Sequence, residues 1–252
     1  MALPRHSLRE PAGGDAPRQH EQDGPKRGHP GGGRQCDDAK YLHMKHLPSP
    51  LLVITDRHQA RDSIEAIAEA IGRERGRWLL LRDKDLEPKQ RRGLAARLAE
   101  IASHHGMHFS VSSDIDLAAT CGASVHLQSA AAVDIARRRL GPEALIGVSA
   151  HGFDDVVAAA AAGADYATLS PIFLTASKPG YGPALGVAAI GPAAKLGISV
   201  IALGGVTAGR VRSCLDAGAA GVAAMGEIMR SDQPGRIVDE FLRCAKPQSS
   251  PE

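Results

Sequence analysis

From Leu51 onward the chain alternates short, apolar, β-rich runs with longer segments in which apolar positions recur every three or four residues. The runs are LLVITD (51–56), WLLLRD (78–83), HFSVSS (108–113), SVHLQ (124–128), LIGVSAH (145–151), YATLSPIF (166–173), SVIALGG (199–205) and GVAAMGEI (221–228). Helix-length stretches separate them, among them SIEAIAEAIGRE, QRRGLAARLAEIASHH, DDVVAAAAAG and GRVRSCLDAG, and IVDEFLRCA ends the series. Such a strand and helix repeat predicts a parallel sheet with helices packed outside it. Eight units predict a closed (β/α)8 TIM barrel over residues 48–246, with an open doubly wound sheet as the alternative. TCGASVH, AAGADYA and DAGAAGVA each set a glycine where a helix must stop before the next strand, a position that favours left-handed backbone.

Residues 1–47 lack this periodicity and are rich in Gly, Pro, Arg, His and Gln, so a disordered N-terminal tail is expected there, and a short disordered C-terminal tail over 247–252. Met44, just before the first run, is a candidate translation start, which the intact mass of the native protein would check. The 252 residues suit one barrel, and with aromatics at only 3% the core must be built from Ala, Val, Ile and Leu. Of 30 basic and 28 acidic residues, eight and six lie within 1–48, which leaves the remainder electrically balanced and gives no basic face for nucleic acid. The four cysteines show no CxxC spacing, so neither a zinc cluster nor a disulfide framework is expected. With no long apolar run and no signal-peptide core, the expectation is a cytoplasmic protein with no membrane partner; a homo-oligomer is left open.

A barrel of this kind carries its chemistry at the carboxyl ends of the strands. Those ends nominate Arg82 and Lys84 after the second run, Ser112 and Ser113 after the third, and Ser149 and His151 after the fifth. The sixth opens into SPIFLTASKPGYGPALG, with Thr175, Ser177 and Lys178; the seventh ends in Gly204 and Gly205, the eighth near Met225 and Gly226. Glycines after the last two strands would let backbone N–H groups approach a phosphate, although tight turns also need glycine. Arg82, Lys84 and Lys178 would gather positive charge for a diphosphate, unless RDKD forms surface ion pairs with itself. His151 suits a general acid or base, or else caps the following helix. His126, in mid-strand, is expected to be structural, with a backbone partner.

In order and spacing, VITD, LLLRDKD, DLA…GASVHL, IGVSAH, GADYATLSPIFLTASKPGYGPALG and IALGGV resemble the thiamine-phosphate synthase and TenI (thiazole tautomerase) family over about residues 51–245. The resemblance implies a barrel that binds thiazole phosphate and, in the synthase, a pyrimidine diphosphate. It implies that Arg82 and Lys84 are the basic pair after strand two, that Lys178, Thr175 and Ser177 belong to the substrate loop, and that Gly205 binds phosphate. It also implies a departure. The synthase's Mg²⁺-holding acidic positions fall on Ser112 and Ser113 and on Ala130 or Ala131, with Asp114 or Asp134 as substitutes from a neighbouring position. Mg²⁺ is therefore expected only if the chain acts as a synthase. TenI-like proton transfer, with His151, Lys178 and Ser149 as catalytic candidates, is placed ahead of thiamine-phosphate synthesis, and a non-catalytic ligand-sensing barrel stands third.

Overall fold

The computed structural model describes residues 45–175 and 183–247. Eight parallel strands close in sequence order: β1 (Leu51–Ile54), β2 (Trp78–Leu81), β3 (His108–Ser112), β4 (Ser124–Leu127), β5 (Ile146–Ala150), β6 (Tyr166–Leu169), β7 (Ser199–Leu203) and β8 (Gly221–Ala224). Pairing of Leu51 with Val222 and of Val53 with Ala224 joins β1 to β8, which rules out the open-sheet alternative. The helices are α1 (Ile64–Arg73), α2 (Pro88–His104), α3 (Ile115–Thr120), α4 (Val133–Leu140), α5 (Phe153–Ala161), α6 (Ile190–Ala194), α7 (Val211–Asp216), α8 (Gly226–Met229) and α9 (Pro234–Ala245). None is long and apolar enough to cross a membrane. The expected tails fall outside the described residues except at their inner ends.

Every strand lies within its predicted run, and each ends earlier than the run does. β6 stops at Leu169 because Pro171 has no N–H for a ladder, and Ile172 and Phe173 turn to bond the loop after β7 instead. Gly122, Gly163 and Gly218, the expected helix stops, all have positive φ.

Alternation along the strands sorts the side chains. Val53, Leu79, Leu81, Val111, Val125, Ile146, Val148 and Leu169 face outward and join one large cluster under the helices. That cluster includes the buried face of α1 (Ile64, Ile67, Ala68, Ile71), whose first turn is capped by Ser63 accepting from the Ala66 N–H. A second, smaller cluster fills the barrel: Leu52, Ile54, Trp78, Leu80, Tyr166, Ile201 and Ala223. Trp78 and Tyr166 meet edge to face at 4.9 Å, and Tyr166 stacks on His126 at 5.5 Å. Gly147 pairs in register with Tyr166, and a Cβ there would overlap the phenol ring, which is why β5 reads IGVSA.

The interior is unequal. Strands β7, β8, β1 and β2 contribute most of its apolar residues, whereas β3, β4, β5 and β6 contribute polar ones: Ser110, Ser124, His126, Ser149 and Thr168. These satisfy one another, as buried polar groups must. The Trp78 indole N–H donates to Ser110 at 3.1 Å, and His126 lies between the Tyr166 hydroxyl (3.2 Å), Ser149 (3.0 Å) and Thr168 (3.3 Å). His126 is thus structural as expected, but its partners are side chains rather than backbone. Burial, with a smaller contribution from the charge of Lys84, holds its pKa down to about 3, so the ring is neutral.

Candidate active site

At the carboxyl ends of β6, β7, β8, β1 and β2 lies a cavity of about 280 Å³. It brings together six of the residues nominated by sequence: Arg82, Thr175, Gly204, Gly205, Met225 and Gly226. Arg210, Arg230 and Glu227 line it as well, and sequence reasoning missed all three.

One wall is a seam between two loops. Ile172 and Phe173 donate their N–H groups to the carbonyls of Leu203 and Gly204, each at 2.9 Å. Leu185 and Gly186 then return to bond Pro171 and Ile172, at 2.8 and 3.0 Å. Contact this close leaves no space for side chains on the β7 loop. Gly204 (φ 94°) and Gly205 (φ 62°) are left-handed, and a Cβ would meet the Pro171 Cα or the Leu174 carbonyl. Loop packing therefore demands these glycines independently of any phosphate. Arg210 fastens the same seam, donating to the Gly205 carbonyl at 2.7 Å and lying over the Phe173 ring at 4.5 Å. We expect Gly205→Ala to destabilise the fold by about 2 kcal/mol or more in urea denaturation. A change below about 0.5 kcal/mol would show that the loops do not meet in this way.

The RDKD carboxylates find partners outside their own segment. They and Arg82 are engaged by the loop after β1: Arg82 with Asp56 (3.3 Å), Asp83 with the Thr55 hydroxyl (2.6 Å) and the Arg57 N–H (2.8 Å), Asp85 with Arg57 and His58 (both 2.7 Å). Lys84 lines a neighbouring cavity of about 260 Å³ with Arg91, Arg92, Asp114 and Asp116. Arg91 is 8% exposed and donates to the Ser112 carbonyl at 2.7 Å and to Asp114 at 3.2 Å, tying α2 to the end of β3. Arg82 and Lys84 thus line different cavities among the described residues.

The remaining nominees lie elsewhere. Ser112 is buried and Ser113 exposed with φ 65°, and neither lines the described cavities. Ser149 is half-buried and held by His126. His151 is exposed; its Nδ1 lies 3.2 Å from the Ser170 carbonyl, and its backbone N–H donates to Asp155 in the first turn of α5 at 2.7 Å. The His151 side chain does not cap α5, whose N-cap is Gly152. Lys178 and Ser177 lie outside the described residues.

The donors among the described residues do not build an all-protein Mg²⁺ cage. Among the described residues no three His, Cys, Asp or Glu side chains cluster to hold a metal. Asp114 caps α3 by accepting from the Leu117 N–H and pairs with Arg91, Asp134 pairs with Arg138, and Asp56 accepts from His58, Gln59 and Arg82. Neither Asp114 nor Asp134 offers a hard cation a free carboxylate.

A family model described as thiamine monophosphate synthase matches residues 51–228. A putative thiamine-phosphate synthase of Geobacter sulfurreducens is 35% identical over 216 residues, covering 83% of this chain and all of that protein. A thiamine-phosphate synthase of Mycobacterium tuberculosis is 37% identical over 220 residues, covering 81% of this chain and 98% of its own. Among solved structures, a thiamine phosphate pyrophosphorylase from Pyrococcus furiosus has the same fold, with a TM-score of 0.68 over 77% of this chain and 94% of its own at 22% identity. The match runs from β1 into α8 and takes in every strand and the lining of both cavities except Arg230, so the chain belongs to the thiamine monophosphate synthase family of thiamine-biosynthesis enzymes.

Proposed function

We propose that the protein is a thiamine-phosphate synthase, which joins a phosphorylated thiazole to a pyrimidine carrying a diphosphate. The observation that carries this is the pair of pockets in which cations gather, Arg82, Arg210 and Arg230 beside Glu227 in one and Lys84, Arg91 and Arg92 beside Asp114 and Asp116 in the other. Two anionic substrates meeting at one barrel mouth call for two such pockets. The relatives named as synthases, similar over nearly their whole length, support the same choice.

In this reading the thiazole phosphate lies against Gly204, Gly205 and Gly226, with Arg82, Arg210 and Arg230 supplying charge. The diphosphate lies toward Lys84. The bond between the pyrimidine methylene and the diphosphate oxygen breaks, and the leaving diphosphate takes the electron pair. The thiazole nitrogen then gives its lone pair to the methylene carbon, forming the new C–N bond. Fixed cations stabilise the charge that develops on the leaving oxygen.

A second reading, TenI-like proton transfer on the thiazole, is favoured by the unsuitability of the carboxylates for Mg²⁺. It is weakened by His151, which lies outside the described lining. Purified protein given both substrates, with and without Mg²⁺, should yield thiamine phosphate and diphosphate in equal amounts. No product from folded protein would overturn the proposal and turn attention to isomerisation of a thiazole carboxylate phosphate. His151→Ala is expected to keep kcat/KM for synthesis within about threefold of the parent. A loss above about a hundredfold would give His151 the proton-transfer role that the second reading requires.

A further inference from the structure

Among the acidic residues at the barrel mouth, Glu227 is in an unusual position. It is the second residue of α8 and lines the same cavity as Arg82, Arg210 and Arg230. Asp56, Asp83 and Asp114 all accept hydrogen bonds from the protein. The Oε2 atom of Glu227 is buried and has no hydrogen-bond partner among the described residues. Buried carboxylate oxygens are rarely left unsatisfied, because an ionised carboxylate out of contact with water is costly. As a carboxylic acid the same group carries an O–H donor suited to a phosphate oxygen.

The charged groups around it pull in both directions. Burial raises its pKa first, and Glu240 on α9 raises it further; Arg230, just past α8, and Arg210, in the turn before α7, oppose them, and the net shift is upward. Arg82 enters the cavity from the end of β2. Two further titratable groups touch the lining from outside, His151 at the Ser170 carbonyl (3.2 Å) and Asp56 at Arg82 (3.3 Å), so a titration at the site is assigned to Glu227 only by its loss in a Glu227 variant.

We propose that Glu227 is a specificity-determining residue of the anion subsite, taking up the phosphate of the substrate together with one proton held on its own carboxyl. Once protonated, Glu227 donates a hydrogen bond to the anion; once ionised, it repels a dianion and weakens its hold. The proposal rests on the cavity being a phosphate site, as in the function proposed above.

Inorganic sulfate is the probe, since it remains a dianion across the neutral range and any pH dependence of its binding comes from the protein. By calorimetry, its affinity should fall at least about tenfold in the parent protein as pH rises through the Glu227 transition, which lies above the ordinary glutamate value. In Glu227→Gln, which keeps a neutral donor, it should change less than about twofold and stay near the parent's acid-side value. Glu240→Gln, outside the cavity lining, should move the parent's transition to lower pH by removing a repelling charge. An unchanged pH slope in Glu227→Gln, or no slope in the parent, would overturn the role of Glu227 while leaving the anion site standing. Failure of sulfate and inorganic phosphate to bind either protein would overturn the site and the proposal together.

Discussion

Arg82→Met should lower kcat/KM for thiamine-phosphate formation by about 10²–10³-fold, the scale expected when a preorganised donor to developing negative charge is removed. Arg82 is a cation that the sequence placed at a strand end and that the structure places in the cavity with Gly204 and Gly205. Methionine keeps much of the stem and removes the guanidinium. The change does not strand Asp56, whose carboxylate still accepts from Gln59 at 2.7 Å and from the His58 N–H at 3.1 Å. Because the ion pair with Asp56 is 40% exposed on the arginine side, its loss should alter stability by less than about 1 kcal/mol. Steady-state kinetics beside urea denaturation separate the two effects. Arg82→Lys should recover only part of the rate, because an ammonium lacks the planar fork. A loss smaller than about threefold in Arg82→Met would remove Arg82 from the substrate site.

The second large effect is expected in acid. His126 titrates at about 3 in the folded barrel and near its ordinary 6.5 when unfolded. Between those values the unfolded chain binds one more proton than the native one, so this contribution to stability is complete above pH 6.5 and is lost as pH falls toward 3. The slope approaches about 1.4 kcal/mol per pH unit, and the total is on the order of a few kcal/mol. His108, whose pKa is also lowered by burial, adds to the loss with the same sign. His126→Asn retains a polar group but cannot titrate, and should flatten the dependence by about one proton whatever its absolute stability. Urea midpoints recorded from pH 7 to about pH 4 test this, and identical slopes in the two proteins would contradict it.

The barrel was legible because its strands announce themselves. Eight runs rich in branched residues, each preceded or followed by a helix-length stretch, admit few topologies, and closure required only that β8 return to β1. The site was legible where the strand-end rule sufficed, as for Arg82, Thr175, Gly204, Gly205, Met225 and Gly226. It failed for Arg210 and Arg230, which follow their strand ends by several residues and reach the cavity only through three-dimensional folding of the loops. Glu227 resembled an ordinary acidic residue in a helix's first turn. Strand alternation did contain one missed signal: in SVHLQ, Val125 and Leu127 face outward, so His126 must face the barrel axis, where a neighbouring strand's serine can reach it. His151 misled in the opposite way. The strand ends at Ala150, and the backbone turns into α5 before the imidazole reaches the described lining.

The seam between the β6 and β7 loops also marks where this enzyme can be rebuilt. The chain leaves that seam after Leu174 and rejoins it at Leu185, both ends anchored to the same Pro171–Phe173 stretch. The 175–184 stretch is therefore bounded by fixed fasteners, which makes its sequence an exchangeable cassette. Doubling the length of such an insert adds only about 0.6 kcal/mol of closure entropy. Recombining this cassette among barrels that share the paired glycines would vary substrate preference while the frame that anchors it stays the same.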